Sequence, residues 1–445
     1  MIQIIIGIAA ALAGVFLPLS ATVKLLLVFA ASIFLWITAP TEIGSLVCLA
    51  ALMLLPDVTS GTVISASFGS STIVFLIFSM VLTYGLSATG VLRRIALLFI
   101  DNPLAKKNQY TLLGGYLLSM LVIGSFIAPT TLFVLFFGIV EEMYSLLHLE
   151  KGDPFARGLM IGTGFFASIS CAMTPIAHTF PIMALGYYET ATGNTISYID
   201  YMKYSLPIGL ILAVFAYLIL CFVVRKGSAS TGLSFEKPGK WQGKEIFALI
   251  VFLLVVVAWL IVGIWPKTFV RLNALGTAFP AIVGCAVLAA SGCLNVKDGF
   301  TKGVSWSAIL LCAATLALGK VLTMEEYGIT PLITQSMESV LTGAHPMIMV
   351  IIFAVVLTNI ISNIITTTLS FNIFVPMFLA TGMADPVIAT VAIGIGASLA
   401  YALPSSIAHI ALAGSSGWAS SKDMMKWGAV MIVLSLLVMS VVIAL

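Results

Sequence analysis

Two histidines stand where ionisable residues are rare. The chain has only four histidines, and two of them, His178 and His409, fall inside otherwise apolar stretches. An imidazole can donate a hydrogen bond or carry a positive charge, and ionisable groups at membrane depth are costly enough to indicate a function. We therefore predict that both rings face a bound anion. The alternative is a neutral ring bonded to a free backbone carbonyl.

Both histidines lie in polar breaks of predicted spans, 156–188 and 385–415. The breaks read CAMTPIAHTFP at 171–181 and LPSSIAHIALAGSSG at 403–417, and their prolines interrupt helical hydrogen bonding. A helix N-terminus carries partial positive charge, so helices that restart after a break favour anions. The candidate binding residues in the breaks are His178, Thr179, Ser405, Ser406 and His409.

Two further apolar stretches, 109–145 and 346–381, carry hydroxyl-rich tips at their centres. The tips read GSFIAPTT and ISNIITTT. Polar irregular backbone is tolerated at membrane depth only where protein buries it or a cavity hydrates it, which predicts two re-entrant hairpins. The alternative is ordinary helices whose hydroxyls bond back to the helix. The candidate binding residues are Ser125, Pro129, Thr130 and Thr131 in the first tip, and Ser362, Asn363, Thr366 and Thr367 in the second.

The composition requires a membrane around these elements. The 445 residues are 61% hydrophobic and 8% charged, whereas soluble domains have about 25% charged residues. We predict an all-α polytopic membrane protein with roughly 11 transmembrane helices and two re-entrant hairpins, each span matching about 30 Å of hydrocarbon. The predicted spans are 2–18, 21–38, 43–56, 71–89, 156–188, 204–224, 245–263, 273–291, 304–323, 385–415 and 424–445.

Loop charges predict the orientation. With the N-terminus in the cytoplasm and the C-terminus outside, only five of the 20 Lys and Arg residues face outward: Lys24, Lys203, Lys267, Arg271 and Lys320. Positive charge concentrates on the cytoplasmic side, which indicates a multi-pass protein of the cytoplasmic (inner) membrane. The two hairpins then enter from opposite sides, as inverted-topology repeats require.

An internal repeat supports that arrangement. Short matches recur in the same order in both halves: Gly90-Val91 with Gly328-Ile329, Thr130-Thr131 with Thr366-Thr367, Gly162-Thr163-Gly164 with Gly394-Ile395-Gly396, Ala167-Ser168 with Ala397-Ser398, Ile176-Ala177-His178 with Ile407-Ala408-His409, and Asp200 with Asp423. We predict N-terminal spans over 1–39, a first repeat over 40–224, a cytoplasmic linker over 225–244 and a second repeat over 245–445.

Several other functions are disfavoured. The net charge of +3 shows no basic cluster for nucleic acid, and the six cysteines form no CxxC pair. No acidic residue lies deep in a predicted span, and there is no Walker loop or HExxH motif. We predict no cofactor. An intramembrane enzyme could use only the two histidines with Ser405 and Ser406, so we expect a transporter.

The layout resembles the divalent anion/sodium symporter family (solute carrier family 13, INDY-like). The resemblance rests on Ser362-Asn363 followed by Thr366-Thr367, and on GNTISYIDYMKYSLPIGLIL at 193–212 with its partner SSKDMMKWG at 420–428. It implies an elevator-type transporter, usually a homodimer in the lipid bilayer, for dicarboxylates, citrate or sulfate. In that family Ser-Asn-Thr tips bind sodium and substrate carboxylates.

The chain departs from this pattern in both tips. Phe126-Ile127-Ala128 stands where the first Ser-Asn-Thr is expected, and Ile364 replaces the threonine of the second. We therefore expect a sodium-independent exchanger for dicarboxylates such as malate, succinate or 2-oxoglutarate. A sodium- or proton-coupled symporter for a dicarboxylate, citrate or sulfate is the alternative. If sodium binds, Ser362 and Asn363 are the candidate ligands.

Overall fold

The computed structural model describes residues 1–227, 235, 239–265, 267–329, 331–332 and 345–444, and all regular structure among them is helical. Half of the predicted linker 225–244, residues 228–234 and 236–238, lies outside the described residues. The helices of the first part of the chain are α1 Ile2–Phe16, α2 Ala21–Thr38, α3 Thr41–Met53, α4 Ser60–Ala66, α5 Ser71–Ala88, α6 Val91–Ile100, α7 Gln109–Gly124, α8 Pro129–Leu146, α9 Pro154–Met173, α10 Thr179–Thr192 and α11 Tyr198–Val224.

The second part follows a similar order. Its helices are α12 Gly243–Ile264, α13 Val270–Ala274, α14 Ala278–Ala290, α15 Val296–Asp298 with a π-helical turn at Gly299–Gly303, α16 Trp306–Leu322, α17 Pro346–Ile360, α18 Asn363–Thr381, α19 Pro386–Gly396, α20 Ala408–Ser415 and α21 Ser421–Met439. Within the described part, eight helices are long and apolar enough to cross a membrane, and six apolar helices are shorter. The predicted all-α polytopic fold is confirmed.

The structure corrects some predicted boundaries. The predicted span 43–56 ends at Met53, and at 13 residues α3 covers only about 20 Å. The short helices α4 and α13 were not predicted. The second break also lies earlier than predicted: residues 397–407 leave the helix, whereas Ala408–Ser415 within the predicted break 403–417 is helical. No proline follows Pro404 in this segment, so the helix can restart there.

Both predicted hairpins fold back on themselves. In the first, the Tyr116 ring of α7 packs edge-on against Phe136 of α8 with centroids 5.5 Å apart. In the second, the Phe353 ring of α17 contacts Phe374 of α18 at the same 5.5 Å separation. Each contact joins residues five to eight positions before and after the tip, which requires antiparallel arms.

The residues matched between the halves adopt the same local structure. Gly90 and Gly328 both have left-handed backbone, with φ of 82° and 59°. Ser197 and Ser420 cap α11 and α21 in the same way: each hydroxyl donates to an Asp three residues later at 2.6 Å and accepts from its N–H at 3.1 Å. The two capping serines were not used to define the sequence repeat, so their matched conformations support it.

Helix α9 lies at the centre of the molecule and is almost wholly buried. Small residues let its neighbours approach: a Cβ at Gly158 would lie 2.3 Å from Val224, and one at Gly162 would lie 2.8 Å from Leu117. Such close backbone contacts replace the hydrophobic driving force that is absent between helices in lipid. The first break is therefore held by a rigid, tightly packed element.

Candidate functional site

A cavity of about 420 Å³ lies between the first hairpin tip, the first break, α5 and the π-helical turn. Its polar lining contains one lysine and one histidine, Lys302 and His178, and no acidic residue. A concave site of this size is in the range of small-molecule sites, and its charged groups favour an anion. The remaining polar lining is Ser79, Thr83, Tyr84, Ser87, Thr130, Thr131 and Thr179.

Two helices begin in the wall of this cavity. The first turn of α8 contributes Thr130 and Thr131, and α10 begins with His178 at its N-cap. Neither N-cap side chain caps its helix, whereas Asp153 caps the neighbouring α9. The first backbone N–H groups of α8 and α10 therefore lack a side-chain cap, and their partial positive charge is available to an anion.

The hydroxyls of Thr130 and Thr131 are also available. Both residues are exposed on the cavity wall, and within the described residues neither hydroxyl has a hydrogen-bond partner. Pro129 is buried at the first position of α8, where its missing N–H costs nothing because that N–H has no helical acceptor. Pro129 thus sets the start of the helix rather than lining the cavity.

The first tip and the first break are joined directly. The Thr174 hydroxyl donates to the Ser125 carbonyl oxygen, so the irregular segments of the hairpin and of the broken span meet. Tyr201 and Ser205 of α11 donate to the last carbonyls of α9, at 3.2 Å and 2.6 Å. These bonds satisfy backbone groups that the break leaves without helical partners.

The second tip is joined to the second break by an asparagine. The Asn359 amide donates to the Leu399 carbonyl at 2.9 Å and accepts from the Tyr401 and Ala402 N–H groups at 2.7 Å and 3.2 Å. Ser405 donates to the Ile360 carbonyl at 3.2 Å. Each half therefore packs its hairpin tip against its own broken span.

The two histidines join the halves reciprocally. The His178 Nδ1 lies 3.0 Å from the Ser398 hydroxyl, and the His409 Nε2 lies 2.7 Å from the Ser168 hydroxyl. Ser168 with Ser398, and His178 with His409, are the pairs matched in the sequence repeat. Each half thus supplies a serine to the histidine of the other half, which is the contact pattern of a pseudo-two-fold relation.

The predicted site residues divide between two environments. Four of them, Thr130, Thr131, His178 and Thr179, line the cavity. The residues from the second half are not part of its lining: Ser362, Asn363, Thr366, Thr367, Ser405, Ser406 and His409. The predicted binding residues lie in both tips and both breaks, but the cavity gathers only the first tip and the first break.

Several predicted hydroxyls bond back to their own backbone. Ser125 donates to the Leu121 carbonyl at 2.8 Å, and Ser406 donates to Leu403 at 2.6 Å. Thr366 and Thr367 donate to carbonyls four residues earlier, at 3.2 Å and 2.9 Å. Ser125, Thr366 and Thr367 in the tips thus bond back to the backbone, as the alternative for the tips expected of their hydroxyls, although both hairpins form; Thr130 and Thr131 stay open.

Asn363 has a different environment at the second tip. The residue is 1% exposed, and neither amide atom has a hydrogen-bond partner in the described part of the chain. Ser362 precedes it as the N-cap of α18 without capping the helix. A buried amide without partners is costly, so Asn363 is the residue here most suited to a ligand such as a cation. Among the described residues, no group of three His, Cys, Asp or Glu could hold a metal.

The predicted site residues do not include Lys302 or the α5 residues that line the cavity. Ser79, Thr83 and Ser87 lie at i, i+4 and i+8 of an apolar span, and this polar stripe was a readable signal. Lys302 was predicted only to be one of the cytoplasmic loop Lys and Arg residues. It lies at the cavity in the π-helical turn, paired with Asp298 at 3.0 Å, and its side chain is 64% exposed.

Comparison with known proteins agrees with this architecture. The sequence is 24% identical to the sodium-dependent dicarboxylate transporter SdcS of Staphylococcus saprophyticus, covering 92% of this chain and 83% of the relative. It is 22% identical to SdcS of Staphylococcus aureus, covering 88% and 80%. It is also 24% identical to the inorganic phosphate transporter PHO87 of Saccharomyces cerevisiae, but over only 59% of this chain and 27% of that protein.

A solved structure shares the fold. The crystal structure of the Alcanivorax borkumensis YdaH transporter, described as having an unusual topology, superposes with a TM-score of 0.52 at 13% identity and covers 86% of each chain. The citrate transporter family matches residues 31–396, well over half of the chain. The relatives are transporters, so the expected anion-transporter family is confirmed and the enzyme alternative is not supported. The chain belongs to the citrate transporter family, a family of multi-pass membrane transport proteins.

Proposed function

We propose that the protein is a secondary active transporter that exchanges dicarboxylates across the cytoplasmic membrane independently of sodium. The observation that carries this proposal is the cavity: two helix N-termini without side-chain caps, His178, Lys302 and no acidic lining residue. Such donors suit an anion, because charge-assisted hydrogen bonds are about twice as strong as neutral ones. The names of the SdcS relatives and of the citrate family favour the same substrate class.

The first tip supports independence from sodium. Phe126, Ile127 and Ala128 provide no side-chain oxygens at the position where the family resemblance implies the Ser-Asn-Thr ligands of sodium, and Ile127 is 1% exposed. If no cation binds together with the anion, the site would cross the membrane only when an anion occupies it. Each anion that is carried in is then exchanged for one that is carried out. The two helix N-termini at the cavity then lower the cost of moving a dianion through a low-dielectric medium.

The geometry also favours an inward-facing site in an elevator-type cycle. Tyr84 and Ser87 lie in the last turns of α5, close to Lys302, and the loop charges predict this end of α5 to be cytoplasmic. Within the repeats 40–224 and 245–445, the helices around α9 and α19 would form the transport unit. The remaining helices would form its frame. A homodimer would anchor that frame in the bilayer.

A sodium-coupled symporter is the second candidate. Asn363 supports it, because the buried amide has no partner in the described chain and a cation could satisfy its oxygen. The relatives named as sodium-dependent support it as well. In this version the second tip holds sodium, while the cavity at the first tip binds the anion.

Counterflow in proteoliposomes separates the two candidates. Vesicles preloaded with unlabelled succinate should take up labelled succinate at the same rate in sodium, potassium or choline salts, and vesicles without internal anion should take up little. Citrate, 2-oxoglutarate and sulfate, added as competitors, define the substrate range. Uptake into anion-free vesicles that requires an inward sodium gradient would establish the symporter and overturn exchange.

A further inference from the structure

We propose that Ser398 is a positioning residue for anion binding: it accepts a hydrogen bond from His178 Nδ1 and so leaves Nε2 of that ring for the anion. The proposal rests on the proposed function, because it concerns the same cavity. Its basis is a count of the hydrogen-bond donors and acceptors in the two reciprocal serine–histidine pairs. This count assigns a tautomer to each ring.

The partners of His178 Nδ1 have already used their hydrogens. Ser398 has one hydroxyl hydrogen, and its oxygen lies 2.9 Å from the Gly394 carbonyl, which can only accept. The Cys171 thiol, 3.3 Å from Nδ1, lies 3.2 Å from the Ser168 carbonyl, which also can only accept. With these hydrogens placed on the two carbonyls, both neighbours present lone pairs to Nδ1, and the ring nitrogen is assigned as the donor.

The same count gives the opposite answer for His409. The Ser168 hydroxyl lies 2.6 Å from the Ala400 carbonyl, so its hydrogen is used there, and its oxygen accepts from His409 Nε2 at 2.7 Å. His409 Nδ1 is then an unprotonated nitrogen, buried and without a partner among the described residues. Pseudo-symmetric positions thus carry opposite tautomers, and only His178 reaches the cavity.

The tautomer of His178 determines whether the ring presents a lone pair or an N–H group to the cavity. With Nδ1 fixed as a donor towards Ser398, Nε2 is the nitrogen left on the cavity side. A neutral ring presents a lone pair there, which repels a carboxylate, whereas a doubly protonated ring presents an N–H and a positive charge. Anion binding therefore takes up one proton at Nε2, and the Ser398 oxygen stabilises the charged ring from behind.

Other groups around this ring contribute to its titration. The Cys171 thiol touches Nδ1, and His409, the residue matched to His178 in the repeat, is a neutral ring bonded to Ser168. Lys302 and Tyr84 line the same cavity, and the Phe180 ring packs edge-on at 4.1 Å. The Cys171 sulfur is only a weak acceptor, so removing the Ser398 oxygen leaves Nδ1–H with a weak hydrogen bond.

Nitrogen-15 NMR of histidine-labelled protein tests the assignment without any ligand, because the chain has only four histidines. At alkaline pH we expect His178 protonated at Nδ1 and His409 protonated at Nε2. Ser398→Ala should change only the His178 signals, and the matched control Ser168→Ala should change only those of His409. A wild-type His178 protonated at Nε2 would overturn the proposal whether or not any variant folds.

Binding of succinate and citrate, followed by thermal shift between about pH 5 and about pH 8, tests the consequence. Above the midpoint, affinity should fall about tenfold per pH unit, since only the protonated fraction binds. Ser398→Ala should weaken binding about fivefold to about tenfold and shift the profile, Ser398→Thr should restore both, and Ser168→Ala should retain the wild-type profile. Equal effects of Ser398→Ala and Ser168→Ala would reduce Ser398 to a packing role. Counterflow alone decides the exchange function, so failure of exchange with the pH profile intact would leave this proposal standing.

Discussion

Replacing His178 with glutamine should separate the two histidines that the sequence treats alike. His178 lines the cavity, and a protonated ring there makes a charge-assisted hydrogen bond to a carboxylate worth about 1.5–3 kcal/mol. Glutamine keeps a donor of similar reach but cannot carry the charge. At about 1.4 kcal/mol for each factor of ten, His178→Gln should raise the KM for succinate exchange about tenfold to about a hundredfold.

His409→Gln is the matched control for this prediction. His409 is 0% exposed, does not line the cavity and is bonded to Ser168. Its loss should cost about 1–3 kcal/mol of stability, the usual effect of removing one partner of a buried hydrogen bond, with KM changed less than about threefold. Both variants are measured by succinate counterflow and by thermal unfolding in detergent. Wild-type KM in His178→Gln, or an equal rise in His409→Gln, would refute the assignment of the cavity as the binding site.

Three further outcomes follow from the geometry. Thr131→Val should raise KM about threefold to about tenfold by removing a free cavity hydroxyl, whereas Thr367→Val, whose hydroxyl bonds back to its helix, should not; equal effects would contradict the division of the site. Lys302→Gln should raise KM about twofold to about fivefold at low salt, with the difference fading in high salt because the charge is exposed; a salt-independent loss would argue against its role at the cavity mouth. Asn359→Ala should lower the free energy of unfolding by about 2–4 kcal/mol and slow exchange, because several buried backbone groups of the second break lose their partner. An unchanged unfolding midpoint would show that water replaces the amide.

Much of the architecture was predictable because it follows from local patterns. Runs of apolar residues gave the spans, and the tips at 124–131 and 361–368 gave both hairpins, since polar residues amid apolar ones are costly in lipid. The matched residues of the repeat also predicted which positions would be equivalent. Ser168 and Ser398 appear there as a pair, although their partners could not be read from the sequence.

The remainder depends on contacts between distant residues. His178 and Ser398 are separated by 220 positions, and no periodicity shows that one half supplies a serine to the histidine of the other. Lys302 enters the cavity because a π-helical turn breaks the end of a span, which its loop-like sequence did not indicate. The direction of each tip hydroxyl likewise depends on packing: Thr130 is open, whereas Thr366 bonds back to Ser362.

A structure of the protein with bound succinate or citrate tests the account most directly. We predict the anion between the first turns of α8 and α10, with one carboxylate within hydrogen-bond distance of His178 Nε2 and of the Thr130 or Thr131 hydroxyl. The wall of α5 should contact its other end. An anion bound instead against Asn363 and the second break, with the first cavity unchanged, would contradict the central claim.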